Sequence, residues 1–291
     1  MGDVIIARNL KKYYGTARGL EDATLSVREG EVYGFVGPNG SGKTTFIRIL
    51  AGLIRATSGS VSAFGLTPGP DSEKINAAVG YMPGESFYYP ERKVREVLGF
   101  FARERGVSEV RMRELAERLD LDLGKRIDAL SFGNRKKVGI VAAMLHQPKL
   151  LILDEPTTGL DPLVQRTFLD LLREEQARGT TVFLSSHNLT EVEKACDRVA
   201  LVKEGGILFT TTIADLVKRK HKRLVVAPAV ELSIAGLERT GGNERESYYE
   251  YRGETAPLLS LLADAGLTDV VIRDATLEEI VIGHYERGNG R

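Results

Sequence analysis

The sequence is poor in cysteine, in long apolar runs and in net charge, and each shortage narrows the classes of protein to consider. Among 291 residues there is one cysteine, Cys196, so no internal disulfide can form and we expect a reducing compartment. Lysine plus arginine and aspartate plus glutamate both number 40, so no global field favours nucleic acid or an anionic membrane. We therefore expect no nucleic-acid partner.

Neither a membrane-spanning segment nor a secretory signal is predicted. The apolar stretches, such as residues 138–145 (VGIVAAML), fall far short of the roughly 18–20 residues that cross a bilayer. The N-terminal stretch MGDVIIARNLKKYYG lacks the basic segment and apolar core of a signal peptide. We therefore expect a cytoplasmic protein that reaches a membrane only through a partner.

The order of apolar segments predicts an α/β fold with a mostly parallel sheet. Short β-rich runs over residues 3–36 predict an antiparallel N-terminal part. Residues 149–155 (KLLILDE) and 181–186 (TVFLSS) have the composition of strands buried in a parallel sheet. Helices are predicted after these two strands, at 163–178 and 190–196, which is the β-α-β-α order of right-handed crossovers.

Two further regions stand apart from this main body, which we predict over residues 1–215. Apolar residues at helical spacing over 91–119 predict a helical insert covering about 88–145. The basic run KRKHKR predicts a hinge over 216–223, with contact to RNA or lipid as the alternative. Residues 224–291 alternate strand and helix three times, which predicts a small α+β accessory domain.

Residues 37–44 (GPNGSGKT) match the phosphate-binding pattern G-x-x-x-x-G-K-[ST] and lie between a predicted strand and a predicted helix. The glycines let backbone N–H groups wrap phosphates at a helix start. Lys43 would reach the β- and γ-phosphate oxygens, and the Thr44 hydroxyl would bind Mg²⁺. The residues predicted to bind ATP are Gly37, Pro38, Asn39, Gly40, Ser41, Gly42, Lys43, Thr44 and Thr45.

Polar residues follow two of the predicted buried strands. Asp154 ends the first strand and would bind Mg²⁺, while Glu155 would orient or deprotonate the attacking water. The alternative for this pair is an acidic strand end that caps the next helix. His187 follows the second strand and would hydrogen-bond a γ-phosphate at the carboxyl edge of the sheet, unless it is only a surface residue.

A second anion site is predicted at LSFGNRKKVGI, residues 130–140. Ser131 is the predicted N-cap, Gly133 leaves backbone N–H groups open, and three basic residues follow at once. These basic residues are Arg135, Lys136 and Lys137.

Together these motifs resemble the ATP-binding subunit of ABC transporters, over roughly residues 3–210. The resemblance implies Walker A at 37–44, a catalytic Glu155 assisted by Lys43 and His187, and a D-loop containing Asp161. It also implies that Tyr14 stacks on adenine. Tyr13 is the less favoured choice, and packing on its own strand is the alternative for Tyr14.

The resemblance also accounts for the second anion site. LSFGN stands where the family has its LSGGQ signature, which completes the ATP site of a second chain in a head-to-tail dimer. Ser131, Gly133 and Asn134 would then contact the ATP of the opposing chain. The implied partners are a second ATP-binding subunit, identical or different, and a transmembrane permease subunit.

The sequence departs from the family pattern in two places and allows two functions. Phe132 and Asn134 replace residues of the commoner signature, and Gly84 stands where the family usually has a glutamine that touches Mg²⁺. Glu85 or Ser86 would take part of that glutamine's role, or water would fill the metal position. The C-terminal segment resembles those of ABC-2 type export ATPases, which implies a motor for export. The alternative is a soluble ABC-type ATPase that acts on the ribosome or on a protein assembly.

Overall fold

The computed structural model describes residues 2–85, 88–218, 221–276 and Glu279. The chain forms two compact units, Met1–Ile213 and Ala214–Arg291. The first unit contains, in chain order, β1 (Asp3–Tyr14), β2 (Ala17–Arg28), β3 (Val32–Val36), α1 (Lys43–Leu50), β4 (Ser58–Ala63), α2 (Ser72–Ala78), β5 (Val79–Met82), α3 (Val94–Glu104), α4 (Glu109–Arg118), a 3-10 turn (Ile127–Ala129), α5 (Phe132–Met144), β6 (Leu150–Asp154), α6 (Pro162–Ala177), β7 (Thr181–Ser186), α7 (Leu189–Ala195), β8 (Arg198–Lys203) and β9 (Gly206–Thr212).

These strands form one nine-stranded sheet in the order β4-β1-β2-β9-β8-β3-β7-β6-β5. Strands β8, β3, β7, β6 and β5 are parallel to one another, whereas β4, β1 and β2 pair antiparallel. The predicted α/β fold, with its antiparallel N-terminal part and helical insert, is confirmed.

Burial of aromatic rings fixes the first helix against the sheet. All residues of β3 and β7 are buried, as expected for strands covered on both faces. Phe46 of α1 packs on Phe35 of β3 and on Phe183 of β7, with ring centroids 4.9 and 5.3 Å apart. The loop between β3 and α1 is therefore held between two rigid elements.

The helices α3, α4 and α5 form the region predicted as an insert. Arg111 of α4 reaches across to the fully buried Glu175 of α6, with Nη2 2.5 Å from Oε1. Arg118 adds a two-pronged contact with Glu174 on the same helix. Two arginines of α4 therefore anchor these helices to the sheet-covering helix α6. No helix among the described residues combines the length and apolar character needed to cross a bilayer.

The second unit is a four-stranded antiparallel sheet in the order β11-β12-β10-β13, with its own hydrophobic core. Its elements are α8 (Ile213–Lys218, which begins at the last residue of the first unit), β10 (Lys222–Ala227), β11 (Leu237–Gly242), β12 (Ser247–Tyr251), α9 (Thr255–Asp264) and β13 (Asp269–Asp274). Leu258 and Leu262 of α9 are buried in this core with Tyr249 of β12.

One prediction for this unit is wrong. The sequence predicts a helix between the two strands that the structure shows as β10 and β12. The described residues there instead form an irregular stretch and the strand β11. Pro228 opens the segment, and Gly236 and Gly242 adopt φ of 83° and 146°. Glycine and proline disfavour a helix interior, so extended backbone is the better solution. The last predicted helix lies almost entirely outside the described residues.

The basic run is shared between two elements. Lys218 ends α8, whereas Lys222 and Arg223 belong to β10, and residues 219 and 220 lie outside the described ranges. Lys222 Nζ lies 2.7 Å from the Asp274 carboxylate, and Arg223 pairs with Glu279. Ion pairing within the unit therefore engages these two charges.

Candidate functional site

The loop between β3 and α1 has a backbone that only glycine accommodates easily. Gly40 and Gly42 adopt left-handed φ of 78° and 104°, and Gly42 is the residue before α1. At Gly37 a side chain would overlap the backbone carbonyl of Val202 on β8. Three of the residues in the phosphate-binding pattern are therefore required by the shape of the loop itself.

Lys43 links this loop to an acidic residue on the neighbouring strand. Its side chain is 6% exposed, and Nζ donates to the carbonyls of Gly37 at 2.6 Å and Pro38 at 3.2 Å. The same Nζ lies 3.2 Å from Glu155 Oε1. The ammonium group therefore stands between the loop and the predicted base.

The other predicted loop residues differ in exposure. Pro38, Asn39 and Gly40 are exposed at the tip, together with Thr44 at the helix start, whereas Ser41 is buried. The Ser41 hydroxyl has no hydrogen-bond partner among the described residues. Thr45 is half-buried.

Asp154 ends β6 and is almost fully buried. Its Oδ1 accepts a hydrogen bond from Ser185 Oγ at 2.6 Å, whereas its Oδ2 is buried without a partner among the described residues. Thr44 and Asp154 line one cavity of about 320 Å³ together with Gly84 and Glu85. A buried, unpaired carboxylate oxygen beside a threonine hydroxyl fits Mg²⁺, which is held by one or two carboxylates plus phosphate oxygens.

Glu155 has a strained backbone at the end of the same strand. Its φ is 50°, a left-handed value that costs a non-glycine residue on the order of 1–3 kcal/mol. Its N–H donates to Ser185 Oγ at 3.0 Å, and its Oε2 lies 2.7 Å from His187 Nδ1. The carboxylate is thus shared between Lys43 and His187, and the structure brings these three predicted residues together.

Tyr14 lies at the end of β1, with 47% of its surface exposed. Its ring covers Gly19 of β2, where an added Cβ would stand 2.9 Å from the ring and 3.1 Å from Thr45 Cγ2. The ring therefore lies next to the start of α1. Tyr13 differs, because its hydroxyl is bonded to the Glu21 carboxylate.

The predicted N-cap at LSFGN is present. Ser131 Oγ accepts a hydrogen bond from the Asn134 N–H at 3.2 Å, and Gly133 packs so closely on the carbonyl of Gly159 that a side chain would clash. Among the described residues, no hydrogen bond or ion pair joins Ser131, Gly133 or Asn134 to the loop at 37–45.

The sequence places three basic residues, Arg135, Lys136 and Lys137, directly after this cap in the second predicted anion site, and in the structure their side chains donate to carbonyls of the chain itself. Arg135 Nη1 donates to the Leu130 carbonyl at 2.6 Å, and both lysines are buried. Lys137 Nζ donates to the Asp120 carbonyl at 3.1 Å. Burial lowers the pKa of Lys136 from its ordinary value, an effect that three nearby carboxylates oppose. The two lysines therefore lie on the packed part of α5.

Asp161 is the N-cap of α6. Its Oδ1 accepts hydrogen bonds from the N–H groups of Leu163 at 3.1 Å and Val164 at 3.0 Å, with Pro162 as the first helical residue. The Val164 hydrogen bond is the main reason that the pKa of Asp161 lies below its ordinary value. Asp161 therefore stabilises the start of α6 by capping it.

Two residues support the carboxylates in a role that the sequence did not predict, although the sequence places one of them, Lys136, in the second anion site. Ser185 holds both Asp154 and the Glu155 backbone, and its place in β7 beside β6 was a usable signal. Lys136 Nζ donates to the carbonyls of Gly84 and Glu155, which are far from it in sequence, so no local pattern marks it.

The fold and this loop define a nucleotide-hydrolysing α/β protein, and relatives identify its family. A sequence profile described as ABC transporter matches residues 20–158. One relative is the uncharacterized ABC transporter ATP-binding protein YdbJ of Bacillus subtilis (strain 168), which is 40% identical to this chain. The match covers 80% of this chain and 77% of the relative. The chain therefore belongs to the ABC transporter ATP-binding family and is an ATPase.

Two further relatives carry functional names. The linearmycin resistance ATP-binding protein LnrL of Bacillus subtilis (strain 168) is 30% identical over 97% of this chain and 86% of its own length. The bacitracin transport ATP-binding protein BcrA of Bacillus licheniformis is 36% identical over 77% of this chain and 74% of its own.

A solved ATP-binding subunit of an ABC transporter matches with a TM-score of 0.68 at 31% identity, covering 74% of this chain and 92% of that one. A bacterial ABC transporter cassette solved as a dimer shares the fold, with a TM-score of 0.66 at 22% identity over 72% of this chain and 98% of that one.

Proposed function

We propose that this chain is the ATP-hydrolysing motor subunit of an exporter, which works through a separately encoded transmembrane permease. The observation that carries the proposal is the arrangement at Glu155, where a strained backbone holds one carboxylate against both Lys43 and His187. The names of the linearmycin resistance and bacitracin transport relatives support export as the purpose of that hydrolysis.

ATP binds along the edge formed by β1 and the loop before α1. The exposed ring of Tyr14 stacks on adenine, while residues 37–45 surround the phosphates with backbone N–H groups. Lys43 turns from its carbonyl contacts toward the β- and γ-phosphates. Because Lys43 Nζ lies 3.2 Å from Glu155 Oε1, a γ-phosphate bound by Lys43 would lie beside the base, which supports this assignment.

Thr44 and Asp154 hold the Mg²⁺ that accompanies ATP. The orphaned Oδ2 of Asp154 and the Thr44 hydroxyl line the same cavity, which supports this assignment. When bound, the ion would neutralise part of the charge on the phosphate oxygens. Gly84 adds no side chain here, so Glu85 or water completes this side of the cavity, and Ser86 lies outside the described residues.

Glu155 acts as the general base for hydrolysis. It accepts a proton from the attacking water, and His187 holds the carboxylate through Nδ1. The other ring nitrogen of His187, which has no hydrogen-bond partner within the described part of the chain, would meet the γ-phosphate. Ser185 fixes the backbone beneath this carboxylate by accepting the Glu155 N–H. The reaction therefore needs only modest movement of side chains that already touch.

Two ATP-binding subunits, identical or different, close on two ATP molecules. Ser131, Gly133 and Asn134 stand at a helix start, where backbone N–H groups favour an anion. Their hydrogen bonds do not involve their own phosphate loop, which supports contact with the ATP of the opposing chain. Asp161 shapes the turn that follows the base.

The permease holds the chain on the cytoplasmic face of the membrane. Near the Gly84 loop, three rings cluster, with Tyr88 and Phe101 centroids 6.3 Å apart and Phe100 and Phe101 centroids 5.8 Å apart. Phe100 is 53% exposed, so part of this cluster is an open apolar surface that suits a protein partner.

Co-purification tests this function against the alternative of a ribosome-bound ATPase. A tagged chain isolated from detergent-solubilised membranes should retain a polytopic membrane protein encoded beside it. Glu155→Gln should increase that recovery in the presence of ATP, because ATP persists. Recovery in ribosome pellets, with no membrane protein retained, would favour the alternative.

A further inference from the structure

Lys136 is a buried cation to which the proposed reaction gives no role. Its side chain is 4% exposed on α5, and Nζ donates to the Gly84 carbonyl at 2.5 Å and the Glu155 carbonyl at 3.0 Å. A buried ammonium needs partners, and both of its partners here belong to segments that flank the predicted metal carboxylate. Its position therefore bears on the geometry of the site.

The backbone of Glu155 is held at both ends. The N–H donates to Ser185 Oγ at 3.0 Å, and the carbonyl accepts from Lys136. A left-handed φ of 50° persists only where the surroundings over-determine it. Lys136 supplies one of these restraints, and so helps to set the direction in which the Glu155 carboxylate points.

The same ammonium holds the loop at Gly84. An added Cβ at Gly84 would stand 3.2 Å from Asp154 Oδ2, so the loop runs close to the metal carboxylate. With no side chain at this position, the carbonyl is the group by which the loop can be held. Lys136 makes that contact directly.

The aromatic residue at the start of α5 covers the lysine. Lys136 Nζ lies 5.7 Å from the centre of the Phe132 ring, within cation–π range, and the ring also packs on Gly159. The helix that carries Ser131 is therefore joined through one side chain to the backbone of Glu155 and to the loop at Gly84.

We propose that Lys136 is a positioning residue for ATP hydrolysis. It fixes the Glu155 backbone and the Gly84 loop relative to α5, the helix whose N-cap is Ser131. This inference rests on the proposed role of Glu155 as the base. It predicts an effect on the rate of the chemical step, with little effect on ATP binding, because the Nζ hydrogen bonds found among the described residues go to Gly84 and Glu155 and not to the phosphate loop.

The experiment compares steady-state ATP hydrolysis and binding of a fluorescent ATP analogue in the wild-type chain and three variants. Lys136→Met should lower kcat by about 10- to 100-fold, the equivalent of a lost hydrogen bond to a charged group. KM and the Kd of the analogue should change by less than about twofold. Lys136→Arg keeps the cation, so its kcat should be at least about threefold higher than that of Lys136→Met.

Lys137→Met is the matched control. Lys137 is equally buried on the same helix, but its Nζ donates to the Asp120 carbonyl, away from the carboxylates. It should lower the thermal midpoint while kcat stays within about threefold of wild type. The proposal is overturned if Lys136→Met keeps kcat within about twofold of wild type, or if both methionine variants lose kcat in proportion to stability.

Two additions keep the result decisive. If Lys136→Met does not fold, Lys136→Gln takes its place. Its amide is neutral and one bond shorter than the lysine side chain, so it cannot keep both carbonyl contacts and kcat should still fall; an unchanged kcat would overturn the proposal. Glu155→Gln separates the two ideas. If that variant is inactive while Lys136→Met is normal, only the positioning role fails. If Glu155→Gln hydrolyses ATP at the wild-type rate, the assignment of the base fails as well.

Discussion

The two compact units are both built on β-sheets, yet they place their polar groups differently. In the first unit, every residue of β6 and β7 is buried, so polar side chains gather at the strand ends. There Asp154 has an oxygen that lacks a hydrogen-bond partner in the described part of the chain, and Glu155 has a strained backbone. In the second unit, burial alternates along β12, and strand pairing sets Arg223, Glu250 and Arg273 side by side on the less buried face of the sheet.

Ion pairs within the second unit engage several of its charged side chains. Lys222 pairs with Asp274, and Glu279 accepts from both Arg223 and Arg273. Charges at an open sheet face satisfy one another, whereas groups at the end of a doubly covered sheet stay poised for a ligand. The comparison therefore locates chemistry in the first unit.

The largest effect should come from Lys43→Ala. A cation at a transferring phosphoryl group is worth about 10³-fold or more in rate, so hydrolysis should nearly vanish. The matched control is Lys222→Ala, which removes an ion-paired lysine from the second unit and should leave the rate within about twofold. Steady-state phosphate release measures both. Wild-type turnover by Lys43→Ala would remove the central assignment of the site.

The next effect concerns the shared ATP sites. Glu155→Gln keeps the shape of the side chain but removes the base, so hydrolysis should fall by about 10²- to 10³-fold and an ATP-bound dimer should accumulate. Adding Ser131→Arg places bulk at the start of α5 and should abolish that dimer. Light scattering with and without ATP measures the mass of each variant. Equal dimerisation of the single and double variants would show that LSFGN is not a phosphate site.

Much of the site was predictable because its residues are contiguous with regular elements. The pattern at 37–44 lies between a strand and a helix, and Asp154 and Glu155 directly follow an apolar run. Parallel pairing of β6 with β7 then brings His187 to the same edge. These placements follow from local sequence and from the general rules for parallel sheets.

The failures have a different physical origin. Lys136 could not be assigned, since its acceptors at Gly84 and Glu155 are set by the packing of α5 against the sheet. The prediction of a helix before β12 is wrong because glycines in that segment adopt φ values that a helix excludes. Long-range packing decided the first case, and backbone conformation decided the second.

A smaller effect is expected from Gly84→Ala. The new Cβ would stand 3.2 Å from Asp154 Oδ2 and would crowd the carboxylate that we assign to Mg²⁺. The Mg²⁺ concentration for half-maximal hydrolysis should rise by about 3- to 10-fold, equivalent to roughly 1 kcal/mol. Gly99→Ala in α3 is the control, since its Cβ would meet neighbours only at 3.5 Å or more. An unchanged Mg²⁺ requirement in Gly84→Ala would place the ion elsewhere.

The last prediction concerns stability instead of activity and separates the acid responses of the two units. In the first unit, burial lowers the pKa of His146 from 6.5 to about 4, and Nε2 lies 3.2 Å from the Val79 carbonyl. The unfolded chain therefore binds a proton that the folded chain resists. Stability from this histidine is fully present above pH 6.5 and is lost as the pH falls toward 4.

In the second unit, the Arg273 guanidinium is the main reason that the pKa of Glu279 lies below its ordinary value of 4.5. Its contribution is present above pH 4.5 and is lost only as the pH falls further. Urea unfolding over a pH series tests both. In His146→Gln the loss of stability between pH 6.5 and 4 should shrink by about 1–3 kcal/mol. Glu279→Gln should differ from wild type by a constant amount above pH 4.5, and this difference should narrow below it. If His146→Gln loses stability in parallel with wild type, the buried histidine does not set the acid response of the first unit.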